Sequence, residues 1–286
     1  MPGFLNRRRF RVLAMGLLAT LALAVAVEAQ FEGLQQRGRR GRSFSRIATP
    51  ATPDDFAGGF QFCRVAFASD FRGDGGNWSV DYPRADINLS IRLRELTKTD
   101  VSVDTAKEPL PLLITLDSEE LFQCPFIMMT EVGSASINDE EAARLREYLF
   151  KGGFLWADDF WGSYAWEWWV AQFNKVLPIA KYPIVDLPSS HALFSSNFQI
   201  TKVPQIASIG HWASTGGGTS ERFEDSAVAH ARAVLDEHGN IMVLMTHNTD
   251  LGDSFEREAD DPQYFYQMSV PGYAFGVNTL LYALTH

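Results

Sequence analysis

From residue 59 onward, short apolar runs alternate with stretches whose apolar residues recur at helical spacing. Residues 60–68 read as a buried strand. Residues 83–96 follow with Ile87, Ile91, Leu93 and Leu96 near the spacing of one helical face. Residues 101–103 form a short second strand candidate, and 126–130 are apolar until Thr130. The clearest helix covers 138–151. Asn138 is a favourable N-cap, Glu141 three residues on completes a capping box, and Gly152 ends it. Residues 153–157 are the next strand, and a Trp-rich helix over 164–176 stops before Pro178. Buried strands alternating with helices predict a mostly parallel sheet covered on both faces.

The pattern changes towards the C-terminus. Apolar runs 227–235 and 241–246 flank Asp236, Glu237, His238, Gly239 and Asn240, which reads as a hairpin extension to the sheet. A closing helix is expected over 272–284. Residues 59–286 thus make a single α/β domain large enough for one sizeable core.

Residues 1–58 have a different composition. Arg7, Arg8, Arg9 and Arg11 precede a 16-residue uncharged run, 12–27, and Val27 and Ala29 supply the residue types of a peptidase site. This is the order of a cleavable signal peptide covering 1–29, and Arg7-Arg8 also fits the twin-arginine pattern. The alternative, an uncleaved anchor, meets the difficulty that a spanning helix needs roughly 20 apolar residues. Cleavage before Gln30 leaves a periplasmic or secreted protein with no membrane span. Residues 30–58 read as a disordered, Arg-rich linker, with a tether to an anionic surface as the sharper alternative. The mature chain keeps 21 basic and 34 acidic side chains, net −13. Such a balance offers no footprint for nucleic acid.

Ligands of open parallel sheets bind beyond the carboxyl ends of the strands. Residues at or just beyond predicted strand ends are therefore the candidates: Asp70, Glu131, Asp158, Asp159, His247 and Asp250. Carboxylates with one imidazole suit a divalent cation or acid–base chemistry. The competing account is that Asp residues there cap helices and turns, with one of Asp158 and Asp159 facing the crevice and the other capping the helix that begins near Gly162. No cofactor motif is found. Gly216-Gly217-Gly218 lacks the spacing and lysine of a phosphate loop, and no Gly-x-Ser-x-Gly elbow occurs. His191 and His211 stand alone. Trp161, Trp166, Trp168 and Trp169 cluster on one helix, as core or as a face for a sugar or protein.

The segments 126–133, 136–162, 191–194, 250–256 and 276–285, above all NDEEAARLREYLFKGGFLWADDFWG and GVNTLLYALTH, resemble a bacterial family known as domain of unknown function 4159. That family resembles class I glutamine amidotransferase-like domains, which implies a flavodoxin-like sheet. Glutaminases of that fold need a Cys at a strand-to-helix elbow. The equivalent turn here is Glu131-Val132-Gly133, and Cys124 lies before the strand, so glutaminase activity is not expected. In a flavodoxin-like order the strands carrying Cys63 and Cys124 are neighbours, which allows a disulfide if their Cα atoms are under about 7 Å apart. Relatives occur beside membrane-bound von Willebrand factor A-type proteins and ATPases, which implies a protein partner or small ligand at the cell envelope. The expectation is a non-catalytic binding domain, with a carboxylate- or metal-dependent hydrolase and a carbohydrate-binding protein as alternatives.

Overall fold

The computed structural model describes residues 49–286. The predicted signal peptide and residues 30–48 of the predicted linker lie outside the described residues. The rest of that linker is folded. The Ala51 amide donates to Leu113 O (2.7 Å), residues Pro53–Asp55 form a 3₁₀ turn, and Ala51 and Phe56 pack against the core. Two anchoring side chains suffice to order a polar stretch that composition alone marks as loose.

A seven-stranded sheet runs in the order β3-β1-β4-β6-β9-β8-β7. Its members are β1 (Cys63–Ala66), β3 (Leu112–Thr115), β4 (Phe126–Thr130), β6 (Phe154–Asp158), β7 (Val185–Asp186), β8 (His230–Leu235) and β9 (Ile241–His247). The first five in spatial order are parallel, and β8 and β7 are antiparallel additions at one edge. β2 (Ala68–Ser69) and β5 (Ala135–Ser136) make a separate two-stranded ladder. The fold is α/β, with a mostly parallel sheet flanked by helices.

Alternation along the strands explains two cores. Val65, Ile127, Met129, Leu155, Ala157, Val243 and Met245 face α2 (Asp139–Phe150) and α3 (Gly162–Val176). Phe62, Phe126, Met128, Phe154, Trp156 and Leu244 face α1 (Arg84–Leu96), α5 (Leu251–Glu256) and α7 (Val270–Thr285). The short helices α4 (Ile209–Thr215) and α6 (Pro262–Tyr264) complete the helical set. The capping box on α2 forms as its sequence predicts: Asn138 Oδ1 accepts the Glu141 amide (2.9 Å) and Glu141 Oε2 accepts the Asn138 amide (2.9 Å). In α3, Ala165, Trp169, Phe173 and Val176 are buried. Trp166 and Trp168 are half-buried, so the aromatic helix is largely core.

Two expectations are corrected. Residues 101–103 make only isolated bridges, Val101 with Phe60 and Val103 with Pro109. The strand beside β1 is instead β3, an apolar run between Pro111 and the turn at Asp117. The C-terminal hairpin is not an extension: β9 is the fifth parallel strand, paired to β6, and only β8 is appended to it. A seven-residue strand buried along its whole length is what an interior position demands. Cys63 and Cys124 are joined by a disulfide, with Cα atoms 6.2 Å apart at the amino ends of β1 and β4. Among the described residues no helix is long and apolar enough to cross a membrane.

Candidate functional site: a carboxylate crevice at the strand ends

Thr130 of β4 and Asp158 of β6 are register partners, so the next residues, Glu131 and Asp159, emerge side by side. Both leave the sheet in the left-handed conformation, with φ of 54° and 56°. So does Asn248 after β9 (φ 62°), and Asp81, ahead of α1, has φ 63°. Non-glycine residues adopt this region rarely, and local side-chain bonds or tight surroundings must hold them there. The turns direct the Glu131 and Asp159 carboxyls into one crevice, where each acts on the other's ionisation. The Glu131 carboxyl also lies against the loop over β4. Gly75 has φ 145°, a conformation that L side chains rarely adopt, and a Cβ there would sit 2.5 Å from Glu131 Oε2.

Asp81 and Asp250 close the other side. Oxygens of Asp81, Asp159 and Asp250 all lie within 4.8 Å of one another, and the same holds for Asp81, Asp253 and Glu256. These are the residues whose side chains could hold a metal ion. The two groups differ in their counter-charges. Arg257 Nε is 2.8 Å from Glu256 Oε2 and 3.5 Å from Asp253 Oδ1. For Asp159 and Asp250 the strongest influences are burial and other carboxylates, and both acids are pushed well above the ordinary range. Asp81 is raised in the same way by burial and by Asp253 and Glu256, against the pull of Arg64. Burial, with repulsion from Glu221 and Asp74, raises Glu131 to about 7.

Asp158 serves a different purpose. Its alternation places it with Trp156 on the α1/α5/α7 face. Thr246 Oγ1 accepts the Trp156 indole N–H (2.8 Å) and donates to Asp158 Oδ1. Asp158 Oδ2 accepts the Leu251 and Gly252 amides (3.0 and 3.2 Å) at the start of α5. Burial raises its pKa to about 7 in spite of these bonds. One of the Asp pair thus ties down a helix and the other faces the crevice, but the helix is α5. The first amides of α3 go elsewhere, Gly162 N–H to Asn248 Oδ1 (2.8 Å) and Ser163 N–H to Asp225 Oδ2 (2.9 Å). Asp159 Oδ1 accepts the Trp161 indole N–H (3.0 Å).

Two sequence candidates stand apart. Asp70 is ion-paired to Arg72 (2.7 Å), and the hydrogen bonds from Arg72 lower its pKa to about 2. His247 falls on the α3 face of β9, packed between Phe160 and Trp166. Arginine can only donate, so Nδ1 accepts from Arg232 (3.0 Å) and Nε2–H donates to Gly162 O (2.9 Å). Burial lowers its pKa to about 4, which keeps it neutral. Three crevice residues, Asp81, Asp253 and Glu256, escape the strand-end rule. Asp81 precedes a helix and is brought in by the chain path after β1. Asp253 and Glu256 follow Asp250 at i+3 and i+6, a spacing that marks one side of a helix.

Two surface depressions, about 390 and 720 Å³, lie elsewhere. The first is lined by Gly153, Asp236 and Tyr282 at the amino ends of β6 and β9, the second by Lys202, Val228 and Pro271. Neither touches the crevice carboxylates. The crevice itself is narrow: Asp81, Asp159 and Asp250 are each at least 93% buried.

A seven-stranded α/β sheet whose strand ends gather buried carboxyls defines a domain built around an acidic crevice. The chain belongs to the family described as Domain of unknown function (DUF4159), whose model matches residues 61–284. Comparison with curated proteins gives no match.

Proposed function

We propose that this chain is an exported, non-catalytic binding domain of the cell envelope, and that it takes its ligand in the crevice formed by Glu131, Asp159, Asp81 and Asp250. The observation that carries this reading is the turn after β4. The five parallel strands follow the flavodoxin-like order 2-1-3-4-5, with the switch point between β1 and β4. On an amidotransferase-like domain of that order, the turn after β4 is the place for a nucleophile. The left-handed turn is kept here, yet it presents Glu131, and both cysteines are taken up in a disulfide at the other end of the strands. An anionic crevice supports a small, positively charged ligand rather than covalent chemistry. A thermal-shift screen of cations and amines tests the reading: ligands of that charge raise the melting temperature of the wild type and not of Asp159→Asn. A screen in which anions or neutral sugars alone stabilise both proteins equally refutes it.

One observation favours a second reading. Glu131, with a pKa of about 7, abuts Asp159, so the pair shares a proton near neutral pH, as a general acid–base pair requires. A hydrolase of this kind loses turnover about 100-fold or more in Glu131→Gln. A pure binding domain has no turnover to lose.

A further inference from the structure

Within the crevice, the geometry points to a site for a hard divalent cation, held by Asp81, Asp159 and Asp250. This deepens the binding reading and rests on it. The first ground is the donor set. All three ligands are carboxylates, His247 is turned to the other face and the cysteines are bonded to each other. Oxygen-only donors select calcium or magnesium over zinc or copper. Oxygens that all lie within 4.8 Å of one another are close enough for a single ion, bound at roughly 2.1–2.4 Å, to reach all three.

The second ground is independent of the clustering. Asp81 Oδ2 is buried and has no hydrogen-bond partner, while the residue is only 7% exposed. It lies at the start of α5 close to Asp250: the point where a Cβ on Gly252 would stand is 2.2 Å from Asp81 Oδ2 and 3.5 Å from Asp250 Oδ1, the oxygen that also accepts the Asp253 amide. A buried carboxylate oxygen without a donor loses its hydration for nothing unless a cation or proton meets it. The buried Arg64 guanidinium pulls on Asp81 from a distance, but its Nε and Nη2 are bonded to Asp86 and its Nη1 is unpartnered, so it gives Asp81 Oδ2 no hydrogen bond. The group Asp81, Asp253 and Glu256 is the poorer site because Arg257 already neutralises two of its members.

Trp161 offers a direct readout, as its indole nitrogen lies 3.0 Å from Asp159 Oδ1. Terbium bound beside Asp159 is sensitised by tryptophan excitation. The purified protein, stripped with EDTA, is titrated with terbium, then with calcium as competitor, and its melting temperature is measured with calcium, with magnesium and without either. The expected result is sensitised emission displaced by calcium, a higher melting temperature with calcium, and affinity weakened about tenfold or more in Asp81→Asn and Asp250→Asn. Asp70→Asn, outside the crevice, leaves both signals unchanged. Wild-type protein that gives neither emission nor a calcium-dependent shift overturns the site, whether or not the variants fold. Emission that persists in both crevice variants overturns it too. Amines that stabilise the wild type while calcium and terbium do nothing remove the ion and leave the binding reading. Silence from all of them removes both.

Discussion

At pH 8 Glu131 must carry its charge beside Asp159, and the cost of doing so can be read as stability. Its folded pKa, about 7, is raised above the ordinary 4.5. The native state therefore binds the proton more tightly than the unfolded chain. Stability from this group is full below about 4.5, falls as pH rises towards 7, and is flat above that. Across that window the loss is on the order of 3 kcal/mol. In EDTA, Glu131→Gln should be more stable than the wild type at pH 8 and about equal to it at pH 5, as urea denaturation at the two pH values would show. Asp158 is raised in the same direction, to about 7, but both its oxygens accept hydrogen bonds, so substitution there has the opposite effect. Asp158→Asn leaves Thr246 and the α5 amides with a weaker partner and should cost about 1–3 kcal/mol. The crevice candidates Glu131, Asp159 and Asp250 are legible from one rule, that a parallel sheet binds ligands beyond its carboxyl ends. The same rule also admits Asp158, Asp70 and His247, which turn elsewhere, since it locates a residue without saying which way its side chain points. Strand alternation, also in the sequence, would have put His247 with Met245 on the α3 face.

Elements were legible where their ends carry their own chemistry. α2 has Asn138 and Glu141 to begin it and Gly152 to end it, and it appears within a residue of the expected bounds. Asn138→Ala should lower stability by about 0.5–2 kcal/mol in urea denaturation, because it strands the Glu141 amide. α3 illustrates the converse. Its N-cap position, Trp161, makes no side-chain cap, and its first amides are met by Asn248 and Asp225 from distant segments. No local pattern announces such partners. β3 escaped for a related reason: a four-residue strand at the sheet edge is too short to show a period. The rank of β9 was hidden because a hairpin turn tells which strands are antiparallel neighbours but not which of them pairs onward to the sheet.

At the scale of the whole molecule, the disulfide and the crevice sit at opposite ends of the strands. The bond closes a loop between residues 61 apart, and in the chain-entropy model its loss costs about 4 kcal/mol. The Cys63→Ser, Cys124→Ser double variant should show that loss in denaturant and still respond to crevice ligands, because the change is remote from them. Export is tested separately by the intact mass of the secreted protein, which is expected to begin at or near Gln30. The central claim is that the crevice carboxyls are kept for a ligand at a cost in stability. The most direct test is the melting temperature of wild type and Asp159→Asn at pH 8, each in EDTA and in calcium. The account predicts that Asp159→Asn matches or exceeds the wild type in EDTA and gains nothing from calcium, while the wild type rises. A variant that is less stable in EDTA, yet gains as much from calcium as the wild type, would contradict it.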